Sequence, residues 1–413
     1  MWHSIISLLG IPALIALAWV LSTHRNRFPW RIVFWGLGLQ WAIALLILKT
    51  PAGLVLFGWA EQAAKKLEEF AAHGTGTVFG PLGNSEILTE TFGPQQATIL
   101  AITIAGTIIL ISSLSSLLFH WGILPRLVKS MALLMQRALR TSGSESLAAV
   151  ANIFVGQTEA PLIIKPYLAG MTRSELLALM TGGMTTIAGS MLIVYVNMGL
   201  NAGHLFTASL MSAPGSLLMA KIFIPETETS QTAAQAEINV ETRSINAMDA
   251  ICRGASDGMR LTLNVVAMLI AFVAIVALAN FLLGLCLRPF GLELTLQNIF
   301  GWLNAPFAWV MGIPVKDCYL VGQFLGERII LNEFIGYLSL TAHADQLEAR
   351  SIIIATYALC GFANFGSVAI QIAGIGGLEP LQRNNLARLG LKSMMAGLLA
   401  CYLTASIVGI LTS

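Results

Sequence analysis

Two carboxylates, Glu159 and Glu333, stand in stretches so apolar that both are expected at membrane depth. An ionised side chain there costs at least about 3 kcal/mol, so each needs a partner or a task. Around the first the chain reads Asn152-Ile153-Phe154-Val155-Gly156-Gln157-Thr158-Glu159-Ala160-Pro161. Gly156 permits a tight turn, and Pro161 suits the first turn of a returning half-helix. Gln157, Thr158 and Glu159 then surround a helix N-terminus with free N–H groups. Around the second it reads Gly326-Glu327-Arg328-Ile329-Ile330-Leu331-Asn332-Glu333-Phe334. A third cluster, Gly361-Phe362-Ala363-Asn364-Phe365-Gly366-Ser367, puts two glycines into an apolar span and is expected to break it. Two plainer readings stay open: the first tip satisfies its own polar groups, and Glu333 pairs with Arg328. Together the clusters offer carboxylates, amides and hydroxyls without a matching surplus of positive charge. Such a pocket suits a neutral ligand rich in hydroxyl and amide hydrogens and repels an anion such as a nucleotide phosphate.

These groups need a scaffold, and composition says which kind. Charged residues make up 11% of the 413-residue chain and hydrophobic ones 56%, with a mean hydropathy of +0.76. A soluble domain carries roughly 25% charged residues, so an ordinary water-facing surface is excluded. The net charge of +2 gives no case for a nucleic-acid partner. Cys252, Cys286, Cys318, Cys360 and Cys401 show no metal-ligand or redox spacing, and the six histidines are scattered. No cofactor motif or nucleophile elbow appears, which argues against an enzyme, including one that would use Glu159 and Glu333 as an acid–base pair. The first apolar run, from Ser4 to Ser22, has its positive cluster (Arg25, Arg27, Arg31) behind it, the reverse of a secretory signal; it is expected to remain as a span.

Apolar runs able to cross a bilayer lie near 4–22, 32–50, 95–119, 175–198, 203–223, 262–287, 350–375 and 390–411. Ile123 to Thr141 interleaves Arg126, Lys129, Arg137 and Arg140 with apolar residues at helical spacing, which predicts a helix on the membrane surface. Leu294 to Met311, with Trp302, Phe307 and Trp309, predicts a second. Residues 145–170 and 316–342 are apolar on both sides of a polar, glycine-containing centre. Each reads as a hairpin that turns near the midplane and leaves on the side it entered, or else as one kinked span. With both hairpins re-entrant, 16 of the 23 Lys and Arg fall inside and both termini outside. The loop 51–93 becomes an outer connector with some helix, and the polar stretch Pro225 to Arg243 an inner linker. Surface helix, hairpin, span, span occurs twice with opposite entry sides, an inverted repeat of the kind found in secondary transporters. The expected fold is an all-α polytopic membrane protein of about eight transmembrane helices, two re-entrant helical hairpins and interfacial helices.

Gly156-Gln157-Thr158-Glu159-Ala160-Pro161-Leu162, Asn332-Glu333-Phe334 and Cys360-Gly361-Phe362-Ala363-Asn364-Phe365 stand in the order in which the concentrative nucleoside transporters carry such motifs. The chain resembles that family over nearly its whole length. The resemblance implies a homotrimer in membrane lipid, in a bacterial inner membrane, importing nucleosides such as uridine by an elevator motion. It implies residues 1–144 and 224–315 as scaffold and 145–223 and 316–413 as the moving transport domain. It places Gln157, Thr158 and Glu159 at the nucleobase, Glu333, Asn364 and Ser367 at the ribose, and Phe362 beside the substrate. It places a sodium ion at Asn152, Val155, Thr186 and Ile187. Sodium is then a co-transported ion, and no other cofactor is implied. The Thr-Glu-Ala-Pro form of the first motif resembles the sodium-coupled branch; proton coupling is the alternative, and a passive pore or receptor a more distant one. Gly366 and Glu327-Arg328 depart from the family pattern, which bears on base preference or gating.

Overall fold

The computed structural model describes residues 2–92, 99–230, 244–287 and 294–412, and all regular elements among them are helical. Helices α1 (Trp2–Val20) and α2 (Trp30–Lys49) are followed by α3 (Pro51–Phe79). Thr50 starts α3 by accepting the Gly53 N–H, and Pro51 occupies the first turn, where a missing N–H costs nothing. Most of the expected outer connector is therefore one helix of 29 residues. Next come the short α4 (Ser85–Phe92) and α5 (Leu100–His120); the start of the span expected from 95 lies partly outside the described residues.

Helix α6 (Ile123–Leu139) sits between two left-handed residues, Gly122 and Arg140. It buries Leu124, Val128, Ala132, Met135 and Leu139 on one face and exposes Arg126, Lys129 and Arg137 on the other, the amphipathic pattern expected there. The chain continues through α7 (Gly143–Val155), α8 (Ala160–Ile163), α9 (Arg173–Thr185), α10 (Gly189–Asn197) and α11 (Ala202–Phe223). Of the expected polar linker, residues 231–243 lie outside the described residues. Helix α12 (Ala247–Leu287) begins well before the expected span and has 41 residues.

The rest is α13 (Leu296–Val310), α14 (Val315–Ile330), α15 (Glu333–Ala342), α16 (Ala349–Leu359), α17 (Phe365–Leu378) and α18 (Arg383–Leu411). Among the described residues, seven stretches are long and apolar enough to cross a membrane. The eighth expected run, 350–375, is divided into α16 and α17, each too short alone. Asn364 divides it by capping α17, its side chain accepting the Ser367 N–H.

The sequence from α6 to α11 is matched by that from α13 to α18: a single helix, a helix–turn–helix, a broken helix and a long helix. Each copy is tied at its base. In the first, Glu145 and Ser142 form a reciprocal cap at the start of α7. Buried Lys221 of α11 meets Glu145 at 2.6 Å and donates to Ser174 Oγ at 2.9 Å. Ser174 in turn donates to Ile224 O at 2.7 Å. In the second copy, Asp317 near the start of α14 accepts from Ser351 Oγ at 2.5 Å and from the Glu348 N–H at 3.1 Å. Arg350 of α16 donates to Gly409 O at 2.6 Å and to Thr412 O, at the end of α18. In both copies the first helix of the turn unit, the start of the broken helix and the end of the long helix are held together. These anchors leave the opposite ends, the tips and the breaks, to meet inside the molecule.

Candidate functional site

The site is assembled where the two broken helices cross. Helix α9 stops at Thr185, Thr186 is extended, and α10 starts after Ala188. Helix α16 stops at Leu359, and the chain passes through Gly361 at φ +137° before Asn364 starts α17. The breaks touch backbone to backbone: a Cβ at Gly361 would stand 2.6 Å from Met184 O and 2.9 Å from Thr185 O. No side chain fits there.

The turn after α7 reaches the first break. Gly156, at φ +85°, is so close to Ala188 that an added Cβ would lie 2.8 Å from its methyl group. Pro161 stands in the first turn of α8 as expected, although that returning helix is a single turn and passes into a 3-10 stretch, Lys165–Gly170. Gly183 on α9 leaves room for Gln157, whose Cβ would be 2.8 Å from a Cβ placed at Gly183.

From Gln157 a chain of hydrogen bonds runs through the crossing. Gln371 Nε2 donates to Gln157 Oε1 at 3.0 Å, and Gln157 Nε2 donates to Ser367 Oγ at 3.1 Å. The Ser367 N–H donates to Asn364 Oδ1 at 2.8 Å. Asn364 Nδ2 donates to one Glu333 oxygen at 3.3 Å, and Tyr195 donates its hydroxyl to the other at 2.8 Å. The chain therefore links the tip after α7, the start of α17, the start of α15 and the last turn of α10. Of the predicted residues it joins Gln157, Ser367, Asn364 and Glu333. A buried carboxylate whose side-chain partners are two neutral donors keeps lone pairs for further O–H or N–H hydrogens.

Arg328 is not the partner of Glu333. Among the described residues its guanidinium makes no ion pair; it donates to Ala358 O at 2.6 Å, Gly361 O at 3.2 Å and Cys401 Sγ at 3.2 Å. The turn at Leu331 and Asn332 sends the two side chains to different neighbours despite their five-residue spacing. The buried-pair reading is thereby corrected.

At the other break, Asn152 is buried; its Nδ2 donates to Ala148 O at 2.9 Å and its Oδ1 has no hydrogen-bond partner. Asn152 and Thr186 converge on one turn of α9. A Cβ at Gly182 would lie 3.1 Å from Asn152 Nδ2, and Thr186 Oγ1 donates to Gly182 O at 3.0 Å. Val155 and Ile187 are buried on the two sides of the Gly156–Ala188 contact. The unpartnered Asn152 oxygen beside the interrupted helix is the kind of oxygen donor a hard cation prefers. Among the described residues there is no cluster of His, Cys, Asp and Glu that would hold a transition metal.

Thr158 and Glu159 stand apart: both are exposed at the tip and outside the chain of hydrogen bonds. Phe362 is half-buried, packed against the main apolar core. The sequence reading missed Tyr195 and Gln371. Gln371 had a signal, a lone amide in an apolar helix one turn after Ser367. Tyr195 had none, because a tyrosine in a span is ordinary.

Residues 9–82 match the profile of the Na+ dependent nucleoside transporter N-terminus, and 204–409 that of its C-terminus. Residues 101–201 match a profile described as nucleoside recognition. The chain belongs to the concentrative nucleoside transporter family. The transporter is 38% identical to the nucleoside permease NupC of Helicobacter pylori, over 99% of this chain and 98% of that protein. It is 40% identical to the uncharacterized transporter YutK of Bacillus subtilis, over 97% of this chain and 98% of that one. Its fold matches the solved structure of CNTnw in an inward-facing substrate-bound state with a TM-score of 0.94, at 38% identity, covering 99% and 98% of the two chains. The transporter is thus an integral membrane protein and not an enzyme.

Proposed function

We propose that this transporter carries nucleosides such as uridine inward together with sodium. The observation that carries the reading is the hydrogen-bond chain from Gln371 through Gln157, Ser367 and Asn364 to Glu333 and Tyr195. It leaves a buried carboxylate beside an asparagine amide, a pair suited to ribose hydroxyls. Some distance along the same chain stands the Gln157 amide, suited to the edge of a nucleobase, with Thr158 and Glu159 next to it at the tip. Their exposure agrees with groups that meet a ligand and not the protein. Phe362 flanks the substrate.

Sodium is assigned to Asn152 Oδ1, the Val155 carbonyl, Thr186 and Ile187. The unpartnered Asn152 oxygen and the interrupted helix beside it support this assignment. The ion and the nucleoside share the turn after α7, since Val155 lies two residues before Gln157. An ion that orders this turn favours nucleoside binding, and the nucleoside favours the ion by the same factor.

In the membrane, the units α7–α8 and α14–α15 act as re-entrant hairpins, and the repeat is inverted. Residues 145–223 and 316–413 move as one body against residues 1–144 and 224–315 in a homotrimer. Both termini face outward from a bacterial plasma membrane. Labelled uridine uptake into proteoliposomes tests the reading, with an inward sodium gradient in one sample and an inward proton gradient in another. Accumulation under sodium alone is expected. Accumulation under protons alone overturns the ion and keeps the nucleoside, and no uptake of any nucleoside overturns both.

A further inference from the structure

The two helix breaks meet at one crossing but are not served alike. Each break frees carbonyl groups that a continuous helix would satisfy, and a helix C-terminus carries partial negative charge. In an apolar interior such groups need a donor or a cation. At the break between α9 and α10, the side chain supplied by the facing helix is the neutral Asn152, which bonds back to its own helix and leaves an oxygen bare. At the break between α16 and α17, the facing helix supplies Arg328.

Arg328 is fully buried, with a relative exposure of 0%. A buried charge needs compensation from the atoms around it. Its compensation here is carbonyl oxygen: Ala358 O, in the last turn of α16, and Gly361 O, inside the break. The guanidinium fork can reach two carbonyls and the Cys401 sulfur together because its donors are fixed in a plane. Cys401 itself donates to Cys360 O at 2.9 Å, so the break is held from two sides. The Glu333 carboxylate makes no bond to the guanidinium. Its oxygens stay available to Tyr195, Asn364 and a ligand.

We propose that Arg328 is the resident cation of the second break, a positioning residue that holds α16 and α17 apart. Held so, the break presents Asn364 and Ser367 to the substrate. The first break has no such group and takes its cation from solution. The asymmetry makes one half of the site permanently formed and the other dependent on the ion. This inference rests on the nucleoside and sodium reading of the site, which uptake by the unaltered protein tests first.

The experiment compares Arg328→Met, Arg328→Lys and Arg328→Ala with the parent in proteoliposomes, each checked for the parent's elution volume in detergent. Uridine KM at saturating sodium is expected to rise at least tenfold in Arg328→Met and less in Arg328→Lys, which keeps the charge. The sodium concentration for half-activation is expected to stay within about twofold of the parent's, since the sodium residues line the other break; a general loss of structure would move both constants. Addition of guanidinium chloride at about 20 mM is expected to lower the KM of Arg328→Ala, which leaves a space for the ion, and not that of Arg328→Met, which fills it. A parent-like KM in Arg328→Met overturns the proposal. So does an Arg328→Lys variant no better than Arg328→Met, or an Arg328→Ala variant that guanidinium does not improve.

Discussion

The hydroxyl of Tyr195 donates to Glu333 at 2.8 Å across 138 residues of sequence, from the second half of one broken helix to the first residue of α15 in the other repeat. Both side chains are buried. The bond joins the two repeats at the carboxylate assigned to ribose. Asn364 donates to the other Glu333 oxygen, so a ligand meets only the lone pairs that these two donors leave.

Tyr195→Phe removes that donor and leaves the ring packing near Phe334 and Tyr337. A hydrogen bond to a charged group is worth about 1.5–3 kcal/mol, so uridine KM is expected to rise roughly ten- to hundredfold. Glu333→Ala, which removes the acceptor itself, is expected to abolish uridine binding in a protein that still folds. Uptake kinetics and calorimetric binding check both; unchanged uptake by Glu333→Ala would sink the ribose assignment.

Gln371 holds the Gln157 amide by its oxygen while Ser367 holds it by its nitrogen. Gln371→Leu frees the oxygen side, so the amide can rotate and present either end to a base. Uridine uptake is expected to fall about three- to tenfold, with a change in the ratio of uridine to cytidine uptake. A uniform fall for both nucleosides would make Gln371 a packing residue only.

Asn152→Ala removes the unpartnered oxygen at the first break. The sodium requirement for uptake is expected to rise about tenfold or more, while uridine KM at saturating sodium changes by less than twofold. Equal sodium activation curves for variant and parent would refute the ion assignment.

Lys221→Met leaves Glu145 buried without its cation, at a site where the pair is 2.6 Å apart. Loss of one partner of a buried pair costs about 3–5 kcal/mol. The variant is expected to unfold at a clearly lower temperature in detergent, and the double variant Glu145→Gln with Lys221→Met is expected to recover part of the loss. No recovery would mean that Lys221 acts through Ser174 or Glu226 instead.

Much of this was legible in the sequence for additive or local reasons. Hydropathy sums along a chain, so the apolar runs and the membrane class followed from composition. Capping is local as well: Ser142 with Glu145 and Thr172 with Glu175 form reciprocal caps three residues apart. The turn at Gly156, the start of α8 at Pro161 and the break before Asn364 were read from residues that permit or forbid a helix where they stand.

What the tertiary structure alone decided are the pairings between distant residues. Gln371 meets Gln157 across 214 positions, and Gly361 meets Met184 and Thr185 only because two broken helices cross. Spacing along the chain even misleads: Arg328 is five residues from Glu333, yet α14 aims it at the carbonyls of the α16 break. A side chain's direction is set by the helix it stands on and its partner by how helices pack. The sequence therefore named Gln157, Glu333, Asn364 and Ser367 but not Tyr195 or Gln371, and only packing determined which polar groups bond to one another and which stay free for a ligand.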